Sequence, residues 1–264
     1  MSEEFSSATD FTLKKFLIFR PGEKECLDIK KLIVDFEYAE SIVNPFVIGS
    51  ATIVDSAGLI GSLPIKGGER VVVTTMTNAT GEPIEYDMIL WKVANRFAQQ
   101  KTQTYTIGLI SPEALQNEIT RVNTVMEGNP EAIIKKLISE KEYIGSGKEF
   151  FSEPSLLETK LIPTKTRPFD IAAQLAVKSV SPKAKFESTD SDSTSTTAQE
   201  IRGSGGFLFW ETRRGYNFFA VDSLCADENS PLKSDRLDTK SWGSGKNKEY
   251  TERLGNLSLI HIWR

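Results

Sequence analysis

The alternation of apolar and polar positions changes its period along this chain, and the change divides it. Before about residue 110 the period is two. Residues 11–19 form a strand-like run carrying Phe16, Leu17, Ile18 and Phe19, closed by the turn Arg20-Pro21-Gly22. Leu27 and Ile29 then alternate with polar neighbours, and Leu32, Val34, Phe36 and Tyr38 alternate again, with the phase interrupted at Lys30-Lys31. Such an interruption predicts a bulge or sharp bend. Phe46, Ile48, Ala51, Ile53 and Val54 make an extended run with apolar groups on both faces, the pattern of a strand covered on both sides. Asp55-Ser56 ends it in a turn, and Leu59, Ile60, Leu63 and Ile65 follow as an apolar plug or lid ahead of Gly67-Gly68. Strands are also predicted over 71–76, over 84–93 with a phase slip, and over 105–109. About six or seven strands joined mostly by short turns predict an antiparallel β-barrel over residues 1–110, with 1–10 as a polar tail.

At Ser111-Pro112-Glu113 the period lengthens to that of a helix, with Leu115, Ile119, Val122 and Met126 on one face. A second helix opens at Asn129-Pro130-Glu131 and buries Ile133, Ile134, Leu137 and Ile138. The third opens at Arg167-Pro168, and its apolar residues from Phe169 to Val177 cover nearly every side, so it must pack on more than one. Residues 111–200 are thus expected to form a helical α+β domain, with a Ser-rich loop at 187–198. Two aromatic runs joined by Thr212-Arg213-Arg214-Gly215 predict a β-hairpin within 201–224. The fold class is α+β. Residues 225–264 are expected to be a linker and a foreign or read-through tail, the native frame continuing differently after about Gly255.

Composition narrows the chemistry. Hydrophobic residues at 39% and charged ones at 26% are ordinary for a soluble protein, and no apolar run approaches the length of a membrane span. The start MSEEFSSATDF has neither a basic nor an apolar stretch, so synthesis in the cytoplasm without membrane insertion is expected. A net charge of -4 argues against tight nucleic-acid binding. Cys26 and Cys225 lie far apart and are expected to be free thiols. GSGK occurs at 145–148 and 243–246, but neither copy has the earlier glycine or the following hydroxyl of a phosphate loop, so both are turns. His261 stands alone, with no metal-ligand spacing around it. With neither GxSxG nor HExxH, no catalytic residue, metal or cofactor is expected. Asp35 and Glu37 point the same way from one strand, and a solvated sheet face accounts for them without a pocket. Arg213 and Arg214 keep a hairpin tip soluble.

One resemblance runs through the chain. NPF, TIVDSAGL, LPI and GGERVVV, in that order, resemble the first barrel of the baseplate hub protein of contractile-tailed (myovirus-type) phages and, more distantly, the base of the type VI secretion spike. The helix at Asn129, then RPFDIAAQLA, then the aromatic hairpin resemble the same family's helical part and the start of its second tail-tube-like barrel, so the likeness covers residues 11–224. The resemblance implies a virion structural protein and not an enzyme: a homotrimer whose paired barrels make a pseudo-sixfold ring. Such a ring joins the tail tube protein to the central spike protein, beside other baseplate proteins, and lets DNA pass during genome ejection without specific binding. It makes Asp35, Glu37, Tyr38, Phe207, Phe209, Trp210, Tyr216 and Phe218 candidate interface or channel-facing residues. A tail-associated cell-wall hydrolase and a secretion-spike base are the alternatives.

Overall fold

The computed structural model describes residues 11–20, 22, 26–56, 58–59, 65, 67–77, 83–99, 102–182 and 206–225. The Ser-rich loop, the second GSGK, His261 and most of the expected lid lie outside the described residues.

Strands β1 (Phe11–Phe19), β2 (Cys26–Asp28), β3 (Ile33–Ala39), β4 (Ile48–Asp55), β5 (Arg70–Thr77), β6 (Pro83–Gln99) and β7 (Thr102–Ile110) form one antiparallel sheet in the order β2-β1-β5-β6-β7-β4-β3. Its two edge strands are consecutive in sequence. They are joined by a 3-10 turn at Lys30–Leu32, where the alternation breaks, and the Ile29 amide donates to the Phe16 carbonyl. One short segment therefore serves both margins, and the sheet must curl. Rings from distant strands meet inside the curl: Phe16 of β1 lies 6.1 Å from Phe36 of β3, edge to face, and Tyr38 of β3 lies 4.3 Å from Tyr86 of β6. Phe16, Ile53, Val71, Leu90 and Ile107 are fully buried in this core. What the pattern predicted as a closed barrel is seen as a curled seven-stranded sheet.

Two details depart from the alternation. The register slips between Ile33 and Asp35, so the bulge is in β3 itself and turns Val34 out to 52% exposure. β4 is flanked by β3 and β7, but only one of its faces is covered, and Ile48 and Val54 stand on the open one.

The rest forms a second layer with its own core. Helices α1 (Pro112–Ile119), α2 (Pro130–Ser139) and α3 (Pro168–Lys178) each begin with proline after a residue of extended backbone. α2 buries the apolar stripe read from sequence, whereas α3 buries Phe169, Ile171, Ala172, Leu175 and Ala176 on one broad face and leaves Ala173 exposed and Val177 82% exposed, so the expected all-round packing is not seen. α1 does not bury its predicted stripe. It ends at Ile119, so Val122 instead bridges to Thr166, and Met126 sits in β8 (Met126–Gly128), paired with β10 (Thr159–Leu161). Leu115 and Ile119 face solvent while Glu113 and Asn117 are buried, because those polar groups have partners inside: the Asn117 side-chain oxygen accepts from the Phe169 amide.

The predicted hairpin is β11 (Phe207–Thr212) and β12 (Gly215–Ala220), extended by β9 (Glu149–Ser152), which runs parallel to β12. α3 packs on one face, and a smaller cluster around Trp210 and Phe219 covers the other. Gly215 has φ +154, and a Cβ there would collide with the carbonyl oxygen of Glu149 on the adjoining strand. Gly147 is open to solvent on the side where a Cβ would stand. Gly215→Ala should therefore lower stability by about 2 kcal/mol or more, through loss of the β9–β12 pairing. Urea unfolding would read this directly, with Gly147→Ala as a control close to wild type.

Candidate functional site

Two features stand out: a buried charged junction between the layers, and an exposed face of the curled sheet. The junction centres on Glu211 of β11, which is 0% exposed. One carboxylate oxygen accepts from the Val47 amide at 2.9 Å, just before β4, and the other accepts from Lys148 Nζ. Lys148 also donates to Glu113 at 2.7 Å, and Glu113 accepts from Ser146 Oγ at 2.7 Å. A lysine thus sits between two carboxylates drawn from α1 and β11. A parallel tie lies alongside, where buried Glu40 accepts from the Tyr38 hydroxyl at 2.9 Å and from the Arg213 amide at 2.6 Å. Both carboxylates satisfy backbone amides of the opposite layer, so the layers are joined by charge-assisted hydrogen bonds in addition to apolar contact. A half-open cavity of about 150 Å³ adjoins the junction, lined among others by Tyr86, Ser111, Lys148, Glu211 and Arg213.

Burial pushes the Glu211 carboxyl up, and Glu113 adds to it against the opposing pull of Lys148. Burial alone would lower Lys148, but Glu211 and Glu113 outweigh it and hold the ammonium above its usual range. The Tyr38 and Tyr216 hydroxyls are pushed up by burial first and by neighbouring glutamates second, so both stay neutral. Their neutral state suits an interior joint.

The second feature follows from strand register, since residues directly opposite one another share a face. Lys92 of β6 stands opposite Gly108 of β7, Gly108 opposite Ser50 of β4, and Ser50 opposite Glu37 of β3. The next row runs Ala94, Thr106, Thr52, Asp35, and beyond it come Phe97, Thr104 and Val54. Trp91 and Lys92 lean over Gly108, where a Cβ would come within 3.0 Å of both side chains, and Lys92 Nζ lies 4.4 Å from the Trp91 ring centre. Exposure is high along one margin, 48% at Trp91 and 64% at Phe97. The face carries Lys92 and the aromatics Trp91 and Phe97 on β6, threonines and serine in the middle, and acids on β3.

The sequence-derived candidates separate on this geometry. Asp35 is exposed and Glu37 half-buried on the open face, with Ser50 Oγ donating to Glu37 at 3.4 Å. Tyr38 points the other way and is buried. Phe207, Phe209, Trp210, Tyr216 and Phe218 are all buried within this chain. Their hairpin is covered on both faces, which makes these aromatics core residues and removes them as surface contacts. Sequence reasoning passed over Lys148, Glu113 and Glu211. The one available signal was an acid in an otherwise aromatic strand, FLFWET, where a charge needs a partner. It also passed over Trp91, Lys92 and Phe97, in the stretch where the alternation of β6 slips.

Fold and site together describe an α+β protein built on a curled sheet, with its charges spent on joining layers and marking a face. No protein-family model matches the sequence, and no curated protein matches it. Solved structures similar to this chain are phage tail proteins and type VI secretion components. The 43 kDa tail protein of prophage MuSo2 from Shewanella oneidensis is 10% identical, with a TM-score of 0.47 over 78% of this chain and 54% of that one. A tail protein from Neisseria meningitidis is 10% identical, TM-score 0.43, over 78% and 49%. A type VI secretion component from E. coli is 11% identical, TM-score 0.42, over 80% and 48%. The chain spans about half the length of these proteins.

Removing Lys148 leaves two carboxylates facing each other with no cation. Lys148→Met should cost about 3–5 kcal/mol in chemical unfolding. Glu211→Gln keeps an acceptor for the Val47 amide and should cost less. The folded chain holds the Glu211 proton more tightly than the unfolded chain does, so this group's contribution is full below the ordinary carboxylate range. It is lost as pH rises through the raised value. Thermal melts of wild type should fall across that interval, and those of Glu211→Gln should stay flatter.

Proposed function

We propose that this chain is a structural subunit of a contractile-tail baseplate hub, working through surfaces it offers to neighbours. The observation that carries the reading is the open face of the curled sheet, which presents Trp91 and Phe97 on a strand hydrogen-bonded to β7 and leaves them exposed among the described residues. Large exposed apolar groups on rigid β-structure suit a permanent contact, whereas a reacting site needs groups converging in a cleft. The groups that do converge, Glu113, Lys148 and Glu211, are committed to one another and to the backbone.

On this reading the curled sheet is a tail-tube-like barrel unit, and the three-stranded sheet with β11 and β12 opens a second. Copies form a homotrimeric ring that receives the tail tube protein and the central spike protein and lets DNA pass in the virion. The resemblance carried by NPF, TIVDSAGL, LPI and GGERVVV points the same way. The work is structural and not catalytic. Native mass measurement of the full-length chain, alone and mixed with its cognate spike protein, tests the reading. A closed oligomer that takes up the spike is the expected result, and a monomer that ignores the spike would end the proposal.

A further inference from the structure

The junction at Glu211 holds, besides an ion pair, the parts of a condensation. Glu211 is wholly enclosed, and directly across from it in the hairpin stands Tyr216, also fully buried. Lys148 Nζ lies against one Glu211 oxygen, Oε1, while the Val47 amide donates to the other, Oε2, at 2.9 Å. A second acid reaches the same amine. Glu113 Oε2 accepts from Nζ at 2.7 Å, and Ser146 Oγ donates to the other Glu113 oxygen at 2.7 Å. An amine, a carboxyl, a donor on the oxygen that would gain charge and a separate proton carrier thus meet at one point. The half-open cavity beside them, about 150 Å³, gives a departing water a way out.

The chain contains its own contrast. Lys160 and Glu127 pair at 2.8 Å, but their side chains are 62% and 65% exposed, and among the described residues no second acid joins them. Solvent hydrates that pair, and no bond is expected there.

We infer that Lys148 and Glu211 close an isopeptide bond, joining the loop before β9 to the hairpin strand β11 as a covalent staple inside the folded chain. Lys148 first passes a proton to Glu211 Oε1, which leaves a neutral amine and a neutral acid. At rest the two acids keep Lys148 charged, so closure passes through this less populated pair and follows folding slowly. A small turn of the lysine side chain brings Nζ over Glu211 Cδ, where it attacks. Negative charge developing on Oε2 meets the Val47 amide, already in place for it. Glu113 removes a proton from Nζ and returns it to the departing Oε1 hydroxyl, which leaves as water. One C–N bond forms, one C–O bond breaks, one water is lost, and Glu113 ends as it began. The reacting groups are already in contact, so proximity stands in for the activated ester that amide formation in water requires. The titration described for Glu211 belongs to the chain before closure. The bond lies within one chain, so the inference stands or falls independently of the hub reading.

Intact-mass measurement of the full-length protein with peptide mapping tests this. Wild type, incubated until its mass is constant, should be lighter than its sequence by one water, with a branched peptide containing residues 148 and 211. Lys148→Arg keeps the charge without the reactive amine and should retain its full mass. Glu113→Gln keeps an acceptor for the lysine, yet it should close more slowly than wild type by about a hundredfold or more. Circular dichroism establishes that each variant is folded. A folded wild type that keeps its full mass overturns the inference, as does a water lost elsewhere in the chain or a bond from Lys148 to Glu113. Closure of Glu113→Gln at the wild-type rate overturns the role given to Glu113.

Discussion

The structure depends on a lysine held between two carboxylates where its layers meet. Glu211 is wholly enclosed, and an isolated carboxylate there would cost several kcal/mol. Lys148 and the Val47 amide meet that cost, and in doing so they bring together the loop before β9, the start of α1, the hairpin strand β11 and the entry to β4. Apolar contact is not directional, and Phe46 against the second core would tolerate sliding. The carboxylate contacts would not. Glu211 on Val47 and Glu40 on Arg213 set the relative position of sheet and second layer to within a hydrogen bond.

That constraint explains where the open face lies. The second layer is anchored through the loop between β3 and β4 and through the hairpin tip. Among the described residues, the sheet surface bearing Lys92, Thr106, Thr52 and Asp35 is left uncovered. The glycine at 108 belongs to the same design, because a side chain there would displace Trp91 and Lys92 from the surface they cover. The aromatics that looked most like contact residues have the opposite fate. Phe209 stacks on Tyr216 at 5.6 Å beneath α3, and Trp210 meets Phe219 on the far side, so the hairpin is consumed as core.

Much of the fold was legible. The period-two runs became β1 to β7, the proline-led helices began at Pro112, Pro130 and Pro168, and the hairpin turned where Thr212 and Gly215 said it would. The interruption at Lys30-Lys31 became the turn through which one segment reaches both margins of the sheet. Legibility failed where a polar group was buried or an apolar one exposed. α1 was given an apolar stripe and in fact buries Glu113 and Asn117, because their partners, Lys148 and the Phe169 amide, lie 35 and 52 residues away.

By itself the sequence determined β1 to β7, the helix starts and the hairpin, though not the short strands β8 to β10, since strand and helix periodicity, proline starts and turn glycines act within a few residues and need no distant partner. It also determined that Asp35 and Glu37 share a face, which follows from alternation alone. Only the tertiary structure decided which faces stay open, that Tyr38 and the hairpin aromatics turn inward, and that Lys148 of a plain GSGK turn meets Glu113 and Glu211. Burial and pairing are properties of what the folded chain brings alongside a residue, and for these positions those neighbours come from other elements of the chain.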